Sequence, residues 1–323
     1  VNKVRVGWGI VFSELLHCLS CAMNRIAYNI FALPAIIPSQ CSIKVYTYKW
    51  TLCVISHWFP PFLSVFFLHE IVFQEQHLIS LVAIPFETQK QLNHSIYDEV
   101  NNLFVEIEWA IEDARTSTYD FEYDQIVHFG ELLSTTIINA YVNYININSE
   151  WLDARKCVKT DAYYRDANLD WDATQEAIND QVSKTKLVVS QGFIGSDENN
   201  FTTTLGREGS DYTAAIYAYC LNANSVTIWK DVPGVLNADP RYFENAQLLN
   251  KISYREAIEL AFYGASVIHP KTLQPLQRKE IPLFVKSFLN PEAAGTQIGK
   301  NETLEPMMPC FIVKKNQVLI SLS

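Results

Sequence analysis

"TTTLGREGSDYTAA", Thr202 to Ala215, decides how the rest of the chain is read. From Asp211 onward the run "DYTAAIYAYCLNA" is rich in Ala and apolar residues. That composition predicts a buried helix of about three turns, with Ser210 or Asp211 at its N-cap. A helix N-terminus offers free backbone N–H groups and partial positive charge, and Gly206 and Gly209 let a ligand approach the backbone closely. Arg207 adds a planar fork that matches a carboxylate or a phosphate. The stretch therefore reads as an anion site opening an α/β unit. An ordinary capped helix after a tight turn is the plainer reading of the same residues.

Working outward, helices and strands alternate on both sides of this stretch. "HSIYDEVNNLFVEIEWAIEDA" spaces Ile96, Val100, Leu103, Phe104, Ile107 and Ile111 by three and four, which predicts an amphipathic helix. "YDQIVHFGELLSTTIINAYV" predicts a second helix, entered near Gly130. "KLVVSQGFIG" is a strand-length apolar run closed by Gly192 and Gly195, and "SVTIWKDVPGVLNADPR" is a strand followed by turns. "SYREAIELAFYG" carries a capping box, Ser253 with Glu256, and Gly264 past its end. A further helix opens at Pro270, and a strand follows from Ile281. This order implies a parallel or mixed sheet covered on both faces, with ligands at the carboxyl ends of the strands.

Composition excludes several classes of function. The 323 residues are 49% hydrophobic and 19% charged, with a net charge of -10 and no basic run, which argues against a nucleic-acid surface and favours a small-molecule ligand in the cytoplasm. The average conceals a break. Residues 1–73 hold no Asp and two Glu against five Lys or Arg, whereas the remaining 250 hold 33 acids and 20 bases. Four of the seven Cys also lie in that first segment. Trp50 to Leu68 has no formally charged residue over a bilayer-spanning length, but His57 and the Pro60-Pro61 pair interrupt it. Cys18 and Cys21 form a lone CxxC without the second ligand pair of a structural zinc, so no metal site is assigned. No clean apolar core with a cleavage site marks a signal peptide. The remaining reading is a replaced or frame-shifted start.

Two other segments bear on chemistry. "KDVPGVLNADPR" follows its strand with a Pro233-Gly234 turn, predicted as type II, and a second turn at Asp239-Pro240 with Arg241 behind it. "HFGELLS" places Glu131 just after Gly130, in what reads as the first turn of a helix. Paired with Arg207, Glu131 would take the ammonium of an amino acid while the guanidinium takes its carboxylate. Plain structural roles remain open for each segment taken alone.

Taken in order, "HFGELLS", "SQGFIG", "TTTLGREGSDYTAA", "IWKDVPGVLNADPR", "ELAFYGASVIHPKTLQP" and "IPLFVKSFLNPEAAGTQI" resemble the aspartate kinases of the amino acid kinase fold, over residues 74–305. The resemblance implies a three-layer α-β-α open sheet, mostly parallel, with an aberrant N-terminal part. It implies ATP-dependent phosphorylation of the side-chain carboxylate of L-aspartate, with ATP and Mg²⁺, at the head of lysine, threonine and methionine synthesis. By the same resemblance Glu131, Arg207, Gly209 and Ser210 bind the amino acid, and Asp211 lies near the transferring phosphoryl group as the catalytic residue. Lys230, Asp231, Leu236, Arg241, Ser266 and Val267 fall on positions that line the nucleotide.

The chain departs from that pattern in places. Lys230 stands where Thr is usual, Ser266 where Lys is usual, Leu236 where a Tyr is common, and Glu208 replaces a Gly that need not face the ligand. The phosphate-binding "KFGGTS" segment is missing from residues 1–73, which hold no Gly after Gly9. "MMPCFIVKKNQVLISLS", within residues 306–323, resembles the start of an ACT regulatory domain, so a homodimer is admitted only with its ACT interface cut short. The expected partners are L-aspartate and ATP, with no nucleic acid and no membrane. A second functional reading is a relative that keeps the aspartate site but does not catalyse.

Overall fold

A computed structural model describes residues 43–46, 95–113, 118–144, 146–182, 187–263 and 267–313, the first of these as backbone only. Most of residues 1–73, with the proposed membrane run and the Cys18–Cys21 pair, lies outside the described residues. So do Gly264, Ser266 and residues 314–323. In chain order the elements begin with β1 (Ile43–Tyr46), α1 (Ile96–Asp113), α2 (Tyr119–Tyr144), β2 (Ser149–Leu152), α3 (Ala154–Cys157) and α4 (Trp171–Gln181). Next come β3 (Leu187–Ser190), β4 (Ile194–Ser196), β5 (Thr202–Thr204), α5 (Gly209–Leu221) and β6 (Val226–Lys230). The series ends with β7 (Lys251–Ser253), α6 (Tyr254–Tyr263), α7 (Pro270–Lys279), β8 (Leu283–Ser287) and β9 (Thr296–Gly299). Among the described residues no helix is long and apolar enough to cross a membrane.

The elements gather into two compact units. The first holds α1, α2, the parallel pair β2–β3 and the antiparallel pair β4–β5. Its core forms where Ile96, Val100 and Ile107 of α1 meet Ile126, Leu133 and Ile137 of α2, which is the stripe the spacing predicts. One reading needs correction. The second helix is not entered at Gly130; it starts at Tyr119, and Gly130 is buried within it. An interior Gly lowers helix propensity by about 1 kcal/mol relative to Ala, an amount that tertiary packing of the rest of α2 outweighs. "KLVVSQGFIG" likewise divides into β3 and β4, and the residue with positive φ between them is Phe193 (73°), not a glycine. Gly195 instead serves close approach within β4, because a Cβ there would meet the Val158 carbonyl oxygen at 2.7 Å.

A buried carboxylate ties α2 to β5. Asp124 Oδ2 accepts the backbone N–H groups of Arg165 and Thr204, both at 2.9 Å, and Oδ1 accepts the Thr204 hydroxyl at 2.8 Å. Burial pushes this carboxyl above its ordinary value, and the three donors act against that rise. Beside it, the Gln125 side chain donates to the Thr202 carbonyl and accepts the Thr202 N–H.

The second unit is built on a five-stranded sheet in the order β1-β6-β8-β9-β7, parallel throughout except at β8–β9. Val226, Ile228, Leu283, Val285 and Ile298 of the strands pack with Ala214, Ala215 and Ala218 of α5 and with Leu273 and Leu276 of α7. Helix α6 has the expected capping box: Ser253 N–H donates to Glu256 Oε2 at 2.9 Å, and the Glu256 N–H returns to Ser253 Oγ at 3.2 Å. Helix α7 opens at Pro270 as expected, with His269 Nδ1 accepting the Lys271 N–H at the cap. The β8–β9 reversal needs Gly295, whose φ is 71° and whose added Cβ would meet the Val285 carbonyl oxygen at 2.1 Å.

Candidate functional site

The segment Leu205–Asp211, which opens the second unit's stretch from Leu205 onward, follows β5 in the chain and runs into α5. The turn is closed by the Gly209 N–H donating to the Gly206 carbonyl at 3.1 Å, with Gly206 at φ 73°. The N-cap is neither Ser210 nor Asp211 but Glu208, at φ 56° with no side-chain capping bond. Helix α5 starts earlier than the apolar pattern implies because the turn delivers Gly209 already helical. Glu208 thus holds a left-handed conformation that costs an L-residue roughly 1 kcal/mol, and its Oε2 is buried with no hydrogen-bond partner among the described residues. Glu208→Gly is therefore expected to stabilise the protein by about 1 kcal/mol, read as a rise of roughly 2–4 °C in melting temperature. A fall in melting temperature would show that the Glu208 side chain does more for the fold than its backbone costs.

Arg207 is exposed at this turn, and it has no ion-pair or hydrogen-bond partner among the described residues. Ser210 is half-buried, whereas Asp211, in the first turn of α5, is 1% exposed. Lys230, the last residue of β6, is 4% exposed, and its Nζ stands 2.8 Å from Asp211 Oδ2. That contact is an ion pair by distance, but it lacks the angles of a hydrogen bond, and Asp211 Oδ1 has no partner among the described residues. The end of β6 is itself fixed, since the Phe288 N–H donates to the Lys230 carbonyl at 3.0 Å.

Other expected nucleotide residues fall elsewhere on the second unit. Asp231 is exposed beyond β6, and Leu236 is half-buried and bridges to Leu248. Gly234 takes φ 147°, well beyond the roughly +80° of an ordinary type II turn, and a Cβ there would meet Thr296 Oγ1 at 2.5 Å. The Arg241 guanidinium is largely exposed and lies on Asp239, 2.6 Å from Oδ2, so the second turn is held by its own ion pair. Val267 packs on the core of the sheet.

In the first unit Glu131 is half-buried in the middle of α2, about three turns past the helix start at Tyr119. The helix-dipole argument for its charge therefore falls away, because that effect fades within the first turn. What fixes Glu131 is a polar network that sequence reasoning did not find. Thr135 Oγ1 donates to the Glu131 carbonyl at 2.8 Å and accepts from Gln191 Nε2 at 2.7 Å and Trp151 Nε1 at 3.1 Å. Gln191 Oε1 in turn accepts the Ala154 N–H at 2.7 Å. The Gln of "SQGFIG" and the Thr four residues after Glu131 were the available signals. One turn earlier, His128 Nε2 faces Arg155 Nη1 at 3.3 Å and Nδ1 faces the Asp124 carbonyl at 3.0 Å. Since the guanidinium can only donate, the ring is assigned its proton on Nδ1. Burial and Arg155 together lower His128 to about 3.

The comparisons agree with one another. The model of the amino acid kinase family matches residues 76–287. Lysine-sensitive aspartokinase 3 of Escherichia coli is 38% identical over 230 residues, 70% of this chain and 51% of that protein. The crystal structure of E. coli aspartokinase III in complex with aspartate and ADP superposes with a TM-score of 0.65 at 36% identity, covering 72% of this chain and 52% of that one. Clostridium acetobutylicum aspartate kinase gives a TM-score of 0.56 at 26% identity, covering 73% and 48%. The chain thus spans about half the length of these relatives.

Proposed function

The chain belongs to the amino acid kinase family, and on that premise we propose that it transfers the γ-phosphoryl group of ATP to the side-chain carboxylate of L-aspartate. The observation that carries this reading is the turn into α5, which presents Arg207, exposed and with no partner among the described residues, just before the helix start and holds a buried Asp211 in the first turn. In this reading Arg207 takes the α-carboxylate of aspartate and Glu131 its ammonium, with Ser210 offering its hydroxyl and Gly209 permitting close approach to the backbone. Asp231, Leu236, Arg241, Ser266 and Val267 belong to the nucleotide side.

The reaction forms a bond from a carboxylate oxygen to phosphorus and breaks the bond from the γ-phosphorus to the β,γ-bridging oxygen, so that ADP leaves. Both reactants are anions, so the protein's task is to position them and to balance charge. Mg²⁺ enters as part of the MgATP substrate. Among the described residues no group of three or more His, Cys, Asp or Glu could hold a metal ion.

The test is chemical trapping. Incubation with MgATP, L-aspartate and hydroxylamine is expected to yield the aspartyl hydroxamate in proportion to enzyme, and none without aspartate. Aspartate binding with no hydroxamate would overturn the kinase reading and leave a non-catalytic aspartate-binding relative.

A further inference from the structure

The Asp211–Lys230 pair joins the first turn of α5 to the carboxyl end of β6, and both side chains are nearly solvent-free, at 2% and 5%. Two buried charges return their desolvation cost only when the geometry is good and the remaining polar atoms are satisfied. Neither condition holds here, because the contact lacks hydrogen-bond angles and Asp211 Oδ1 has no partner among the described residues. An incomplete buried ionic contact at the carboxyl end of a parallel strand, beside an anion-binding helix start, fits a functional demand better than a structural one. The demand can be named from the charges. A nucleotide polyphosphate brought beside a bare buried carboxylate would be repelled, and an ammonium on that carboxylate removes the repulsion.

We propose that Lys230 is a positioning residue: its ammonium holds and cancels the charge of the Asp211 carboxylate at the start of α5, so that nucleotide phosphates can bind beside it. This rests on the nucleotide-binding half of the function proposed above. Lys230 then acts through Asp211, not by gripping a phosphate itself. Other charges on the same segments are Arg207 and Glu208 before α5 and Asp231 after β6, and they are unchanged in every variant below.

Calorimetric titration of ADP separates the alternatives without requiring turnover. Lys230→Met is expected to weaken ADP by at least about tenfold, because it leaves a buried carboxylate uncompensated. Asp211→Asn/Lys230→Met, which removes both charges, is expected to recover ADP affinity to within about threefold of wild type, a non-additivity that marks coupling. Lys230→Arg should also bind like wild type. A double variant as weak as the single would show that Lys230 contacts the phosphate directly, and unchanged ADP affinity in Lys230→Met would reduce the pair to a structural one. Either result overturns the proposal. If Lys230→Met does not fold, the double variant and Lys230→Arg carry the decision, since the proposal requires near-normal affinity in both. Normal ADP binding by wild type without hydroxamate formation would defeat the kinase reading while leaving this inference to the variants. Failure of wild type to bind ADP would end both.

Discussion

Arg207→Ala is expected to weaken L-aspartate binding by roughly thirtyfold to a thousandfold in a calorimetric titration, the equivalent of about 2–4 kcal/mol for a bidentate charge-assisted contact. The expectation starts from exposure: the guanidinium projects from the turn before α5 with no partner among the described residues, so its removal leaves no buried acceptor behind. The melting temperature should therefore stay near that of wild type, with a stability change within about 0.5 kcal/mol, as for ordinary surface substitutions. That separation of binding from stability makes the experiment informative. Arg207→Lys should recover only part of the loss, because an ammonium cannot reproduce the two parallel N–H donors. An unchanged aspartate affinity in Arg207→Ala would remove Arg207 from the substrate site.

Features written in local chemistry were legible in the sequence. The capping box at Ser253 and Glu256, the Pro270 opening of α7 and the apolar stripe of α1 each depend on residues within two turns of one another, and all three are present. The turn into α5 was read correctly as a glycine-bearing reversal, but its cap was not. No rule of residue preference places a Glu in the left-handed region, so Glu208 was passed over as N-cap. Gly130 misled in the opposite direction: a residue that usually punctuates a helix lies inside one, and the apparent first-turn placement of Glu131 went with it. The polar contacts that α2 makes with distant strands and loops were beyond reach for a different reason. Thr135 meets Gln191 across 56 positions of chain and Asp124 meets Thr204 across 80. Periodicity reports which face of an element is buried, and it carries no information on which distant polar group will be waiting there. Lys230 shows the same limit, since its place in the sequence marks a departure and only the fold supplies its partner Asp211.

The Asp124 clasp leads to the largest expected loss of stability. Asp124→Asn keeps the shape but replaces one acceptor oxygen with an NH₂ group. If that group takes the Oδ2 position, it faces the N–H donors of Arg165 and Thr204; if it takes Oδ1, it faces the Thr204 hydroxyl. Unpairing the two N–H donors in the first orientation, or exchanging charge-assisted bonds for neutral ones with a reversed hydroxyl in the second, is expected to cost about 2–4 kcal/mol, or on the order of 5–10 °C in melting temperature. The pH dependence has an unusual sign. Asp124 is raised from the ordinary 3.8 chiefly by burial, so between that value and its higher value in the fold the native state binds more protons than the unfolded chain. Its contribution to stability is thus fully present below the ordinary carboxylate value and is lost as pH rises through the raised one. The gap in unfolding free energy between wild type and Asp124→Asn should therefore widen as pH falls through the carboxylate range. His128 runs the other way: lowered to about 3 from 6.5, it favours the fold above 6.5 and loses that contribution as pH falls. Its contact with Asp124 is through the main-chain carbonyl, which the substitution leaves in place, so the His128 contribution cancels in the comparison. A gap that closes on acidification would mean that the three donors outweigh burial at Asp124, and that the clasp is an ordinary low-pKa carboxylate held by its hydrogen bonds.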